Sequence, residues 1–219
     1  MQVRIWGLAA AGKFFEGMIV FMTGVALPLL AAEFGGLTAL QHGLVTAASL
    51  AGILVGASML GGLSDHFGRK RMFVVEMVIF LVFLVLVCFS PNFWWLVTCL
   101  FGIGVALGCD YPTAHLVISE SIASRTRGRF VLGAFAFQAV GALFGTVVGY
   151  LILANVEDLS AWRWMYATAI IPAVLVILGR LTIPESPHFL AVKGRLGEAA
   201  EATMRLLHRE PQYPKDTPI

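Results

Sequence analysis

Six stretches of this sequence are too long and too apolar for a water-soluble domain: roughly Ile5–Ala32, Gly43–Leu63, Met72–Phe89, Phe93–Ile118, Phe130–Leu153 and Trp162–Ile183. The hydrocarbon core of a bilayer is about 30 Å thick, and a helix needs about 20 apolar residues to cross it. The runs do not alternate as barrel strands would. With 58% hydrophobic and only 13% charged residues among 219, the chain reads as an all-α polytopic membrane protein with six transmembrane helices. The bundle is expected over residues 1–184, followed at 185–219 by a cytosolic loop, a helix and a disordered tail. The first run is too long to be a cleaved signal.

The charges orient the bundle. Arg4 precedes the first run, Arg69, Lys70 and Arg71 separate the second and third, and Arg125, Arg127 and Arg129 separate the fourth and fifth. Arg180 to Lys215 close or follow the sixth, whereas only Arg163 lies at the opposite side. The positive-inside rule then places both termini in the cytoplasm of a multi-pass protein of the cell (inner or plasma) membrane.

Polar residues inside the runs carry the functional signal, because a carboxylate in a span costs several kcal/mol. Asp110 interrupts the fourth run. If the first helix begins near Ile5, Glu16 lies about 16 Å along it, at 1.5 Å per residue. By the same count Asp110 lies about 14 Å from a helix end near Ser119, and Gln138 about 12 Å from Phe130. The three share one depth, where transporters place their substrates; the alternative is that a helix neighbour satisfies each separately. A carboxyl shielded from water is a candidate for proton exchange. Lys13 is the one cation expected within a span. Glu76 is expected to snorkel to the basic loop, and His115 to be a packed or near-interface residue. Cys88, Cys99 and Cys109 fall within runs and read as packing residues rather than a disulfide or metal site.

Gly52 and Gly56 in the second run, and Gly141, Gly145 and Gly149 in the fifth, form small-residue faces. Those faces suit either packing within the bundle or docking of a partner. After the last run, Leu196, Ala199, Ala200, Thr203, Leu206 and Leu207 form an apolar stripe at helical spacing, followed by a proline-rich tail.

One motif is specific. Gly61-x-Leu63-x-Asp65-x-x-Gly68-Arg69-Lys70 resembles the signature between spans two and three of the major facilitator superfamily. That resemblance implies an inverted 3+3 repeat forming the amino-terminal half of a twelve-span architecture. It also implies that spans two and five pack against the opposite half. Glu120 with Arg127 and Arg129, and Pro184-Glu185-Ser186-Pro187, are similar to the sugar-porter and metabolite–proton symporter branch, where these charges form a cytosolic latch. His188 and Thr98 stand where that branch usually has arginines. Gly108-Cys109-Asp110-Tyr111-Pro112 resembles a segment of phosphate–proton symporters, as does Phe135-x-Phe137-Gln138-x-x-Gly141. The likeness implies proton and anion handling at Asp110, and substrate contact at Tyr111 and Gln138. Phe14-Phe15-Glu16-Gly17 is similar to an acidic motif in the first span of related symporters, with Ile19 in place of its second acid.

The resemblance implies a half-length secondary active transporter working by alternating access. Its activity would be proton-coupled symport of a small anion or metabolite (phosphate, organic acid or sugar). Its expected partners are lipid, protons, substrate, and a homodimeric copy or a second six-helix half. The other reading is a non-transporting, truncated membrane protein acting as a sensor, regulator or assembly partner. No catalytic triad, metal-ligand spacing, phosphate loop, cofactor motif or nucleic-acid-binding pattern is present.

Overall fold

A computed structural model describes residues 2–60, 62–121 and 126–207. Gly61, the first residue of the signature, lies outside the described residues, as does the tail from residue 208. The helices are α1 (Gln2–Glu33), α2 (Ala39–Val55, continued by a π-turn at Gly56–Leu60), α3 (Leu63–Phe67), α4 (Arg69–Cys88), α5 (Phe93–Ser121), α6 (Arg127–Asn155), α7 (Ala161–Ala167), α8 (Ile170–Leu181), α9 (Pro187–Val192) and α10 (Leu196–Leu207). Among the described residues, six segments are long and apolar enough to cross a membrane: α1, α2, α4, α5, α6, and α7 with α8.

Local chemistry sets the boundaries. Thr38 and Gln41 form a capping box that starts α2. Ser186 caps α9, with Pro187 at its first position. The sixth span breaks between α7 and α8, since Pro172 has no N–H to offer the Thr168 carbonyl.

The first three spans (α1, α2, α4) and the last three (α5, α6, α7–α8) are two inverted copies of one arrangement, because an odd number of crossings reverses the direction of the second. Helix packing follows that symmetry: α1 lies on α6, α5 lies on α2, α4 pairs with α8, and α1 meets α5. The glycines show it at residue level. A Cβ on Gly141 or Gly145 of α6 would strike the Phe14 or Met18 backbone of α1, and one on Gly17 would strike Gln138 in return. In the other pair, Gly52 and Gly56 of α2 abut Phe101 and Val105 of α5, while Gly104 abuts Ser49. The two pairs share one register, so Glu16 corresponds to Ile103, Lys13 to Leu100 and Gln138 to Ser49.

The glycine faces are therefore used inside the bundle. Gly52, Gly56, Gly141 and Gly145 let backbones touch, and Gly149 makes room for the Val25 side chain. Of the two readings of these faces, packing within the bundle is the one the contacts match; the other sides of α2 and α6 expose Leu50, Leu54, Val140, Leu143 and Val147. Burial of the most apolar window falls from 67% in α5 to 17% in α6.

A dry core of Phe15, Met22, Phe80, Leu100, Ile103 and Trp162 fills the centre. α10 buries Ala199 and Ala202 against Leu190 of α9, whereas Leu196 is exposed. The stripe thus runs through the alanines rather than Leu196, because α9 is the surface it covers; the side chains of Leu206 and Leu207 lie outside the described residues.

Candidate functional site

α1 is one continuous helix from Gln2, which places Lys13 and Glu16 deep in the bundle, 1% and 3% exposed. One carboxylate oxygen of Glu16 (Oε1) accepts hydrogen bonds from Tyr111 Oη and from Gln138 Nε2, the latter at 2.9 Å. The other, Oε2, lies 3.3 Å from Lys13 Nζ. The Lys13 ammonium stands 2.9 Å from the centroid of the Tyr111 ring and 5.4 Å from that of Phe135, a cation–π arrangement. The structure thus brings Glu16, Tyr111 and Gln138 together, from α1, α5 and α6.

Asp110 stands between this group and a second one. Its Oδ2 is 3.9 Å from Lys13 Nζ, while Oδ1 accepts from Arg180 Nη2 at 2.8 Å. Arg180 also donates to Glu76 Oε1 at 2.7 Å, to the Phe73 carbonyl at 2.6 Å and to the Leu8 carbonyl at 3.2 Å. Its guanidinium lies 3.5 Å from the centroid of the Phe73 ring. Glu76 and Asp110 thus share the one guanidinium. Two carboxylate oxygens, Glu76 Oε2 and Asp110 Oδ2, have no hydrogen-bond partner among the described residues. Gly12 makes room for Asp110: a Cβ there would lie 2.7 Å from the Asp110 Cγ.

Two expectations are corrected here. Glu76 does not snorkel to the basic loop; it is 2% exposed and bonded to Arg180. Lys13 is not the sole cation in the bundle, because Arg180, one residue from the end of α8, is fully buried and turns inward. Near a helix end its charge looks like any flanking arginine, so hydropathy conceals it. A charge count reveals it: Glu16, Glu76 and Asp110 exceed Lys13 by two, and buried charges need partners. Of the two readings of His115, packing does not hold, since it is exposed.

The basic end of the bundle carries a separate network. Gly68 has φ +102°, a conformation open to glycine, and a Cβ there would also lie 2.6 Å from Glu185 Oε2. The turn lets Arg69 reach Asp65 at 2.8 Å, Glu120 at 3.4 Å and the Ser64 carbonyl at 3.1 Å. Ser186 Oγ donates to Glu120, and Glu185 Oε1 accepts from the backbone N–H of Lys70 at 2.9 Å. Lys70 therefore joins through its backbone. Arg127 and Arg129 are exposed and make no ion pair among the described residues; Glu120 turns to Arg69 and Ser186 instead. At the opposite end Glu33 binds Trp162 Nε1 and Arg163, the latter at 2.6 Å. Beside it, the exposed Asp158 carboxyl is held below its ordinary range by the Ser160 N–H and hydroxyl.

The family model for sugar (and other) transporters matches residues 6–216. The chain belongs to this family. The putative metabolite transport protein YaaU of Escherichia coli is 35% identical over 99% of this chain and 48% of its own. The D-xylose transporter of Levilactobacillus brevis is 35% identical over 73% of this chain and 34% of its own. Among solved structures, the major facilitator superfamily proton:xylose symporter XylE superposes with a TM-score of 0.86 at 21% identity, covering 94% of this chain and 50% of that one. The fold is thus the amino-terminal half of a major facilitator, and the family's relatives are transporters rather than enzymes. The chain spans about half the length of the curated relatives it matches.

Proposed function

We propose that the chain is half of a secondary active transporter that couples protons to the symport of a small anion or metabolite: phosphate, an organic acid or a sugar. The observation that carries this reading is the buried cluster of three carboxyls, Glu16, Glu76 and Asp110, against two cations, Lys13 and Arg180. A desolvated cluster with one uncompensated negative charge is costly, and a single proton neutralises it. Asp110 touches both cations, so a proton arriving there alters the grip of each. In this reading Arg180 positions Asp110 and Glu76, while Tyr111 and Gln138, both half-buried on the open side of Glu16, meet the substrate.

Alternating access needs a second bundle. The exposed apolar sides of α2 and α6 are its docking surface, whether on a copy of this chain, a second subunit or the remainder of a longer protein. Both termini face the cytoplasm, where the contacts of Arg69, Glu120, Ser186 and Glu185 brace this bundle and the exposed Arg127 and Arg129 are left to meet the second.

Reconstitution into liposomes with an imposed pH gradient tests the reading, with labelled phosphate, xylose and organic acids as probes. Accumulation driven by the gradient and abolished by a protonophore is expected. Absence of flux with every probe would favour a sensor, regulator or assembly partner.

A further inference from the structure

We propose that the Lys13 ammonium is a tethered ligand: it fills a site built for a monovalent cation and thereby keeps free cations out. The surroundings of Nζ match what recognises an ammonium group. A carboxylate lies at 3.3 Å, a second at 3.9 Å, the face of one aromatic ring at 2.9 Å and a second ring at 5.4 Å. Rings and carboxylates so arranged form a cage for alkylammonium ions in general. The walls are held independently of the lysine. Tyr111 is anchored through its hydroxyl to Glu16, Glu16 is also held by Gln138, and Asp110 is held by Arg180. Removing the ammonium therefore leaves a formed cage rather than a collapsed one.

The tether makes the occupant permanent. Lys13 lies one turn from Glu16 on the same helix, so its charge competes intramolecularly with any free cation. Its side chain is 2% exposed, so water does not compete either. The consequence for specificity extends the transport reading. A cationic substrate or a coupling metal cation finds the cage already occupied by the ammonium, and neutral or anionic substrates are the class that remains. The occupancy claim itself stands on the cage geometry, and its test does not use transport.

Chemical rescue provides that test. Lys13→Ala removes the equivalent of propylammonium beyond Cβ. The purified full-length variant is expected to melt below wild type and to gain a saturable rise in Tm of about 2–4 °C with propylammonium. Propanol, and sodium chloride at equal ionic strength, are expected to leave it unchanged, as propylammonium does the wild type. Lys13→Met keeps the stem and loses the charge, so its freed space suits ammonium alone. That variant is expected to respond to ammonium chloride and not to propylammonium, and it decides the matter if Lys13→Ala does not fold. Variants indifferent to both cations, or a wild type that responds equally, would overturn the proposal. A positive rescue without proton-driven uptake would retain the caged lysine and discard the transport reading.

Discussion

α1 against α6 and α5 against α2 are built on the same plan, with glycines touching backbone in one register, yet one interface is charged and the other dry. Where α1 carries Lys13 and Glu16, α5 carries Leu100 and Ile103, both fully buried. Where α6 carries Gln138, α2 carries Ser49, whose buried hydroxyl has no partner among the described residues. Glycine contacts and buried apolar side chains, with no ion pair, hold that second pair together. The second interface packs without charges of this kind, and that difference is what the proposed proton coupling would explain.

The largest expected effect comes from the arginine that feeds the charged pair. Arg180→Leu strands Asp110 and Glu76 as uncompensated buried carboxylates and is expected to cost about 3–5 kcal/mol, read as a fall in Tm or in folded yield. Adding Asp110→Asn and Glu76→Gln to that variant is expected to recover most of the loss. Equal instability of the single and triple variants would show that Arg180 acts by packing alone.

Next come Lys13→Leu and Glu16→Ile, which make the charged pair resemble the dry one. Their thermal stabilities and that of the double variant form a cycle with an expected coupling of about 1–3 kcal/mol, the double variant losing less than the sum of the singles. Strict additivity would mean that the two charges do not support each other.

The shared plan itself is tested by Gly141→Ala and Gly52→Ala, at matching positions. Each is expected to cost about 1–3 kcal/mol, and the two by similar amounts. A large cost in only one pair would break the symmetry. At the small end, Glu198 pairs with Arg195 on the surface at 2.5 Å, both side chains more than half exposed. Glu198→Gln is expected to change stability by less than about 0.5 kcal/mol and to leave uptake at the wild-type level.

Much of this was legible in the sequence for physical reasons. Apolar runs of bilayer length specify the spans, and residue counts along α1, α5 and α6 bring Glu16, Asp110 and Gln138 to one depth. Other features were hidden. Arg180 lies near a helix end and Glu76 two turns from the basic loop, where a long charged side chain can equally reach toward water, and only the three-dimensional packing turns them inward. The helical phase of the glycines shows that they share a face, not which neighbour that face meets. Gly12 had no signal of its own, since its role is to leave space for a residue about a hundred positions away.

The central claim is that the charged interface couples a proton to transport. Initial uptake in liposomes with and without an inward proton gradient, wild type beside Asp110→Asn at matched reconstitution, tests it most directly. Gradient-stimulated uptake in the wild type and none in the variant is the expected result; equal stimulation in both would contradict it.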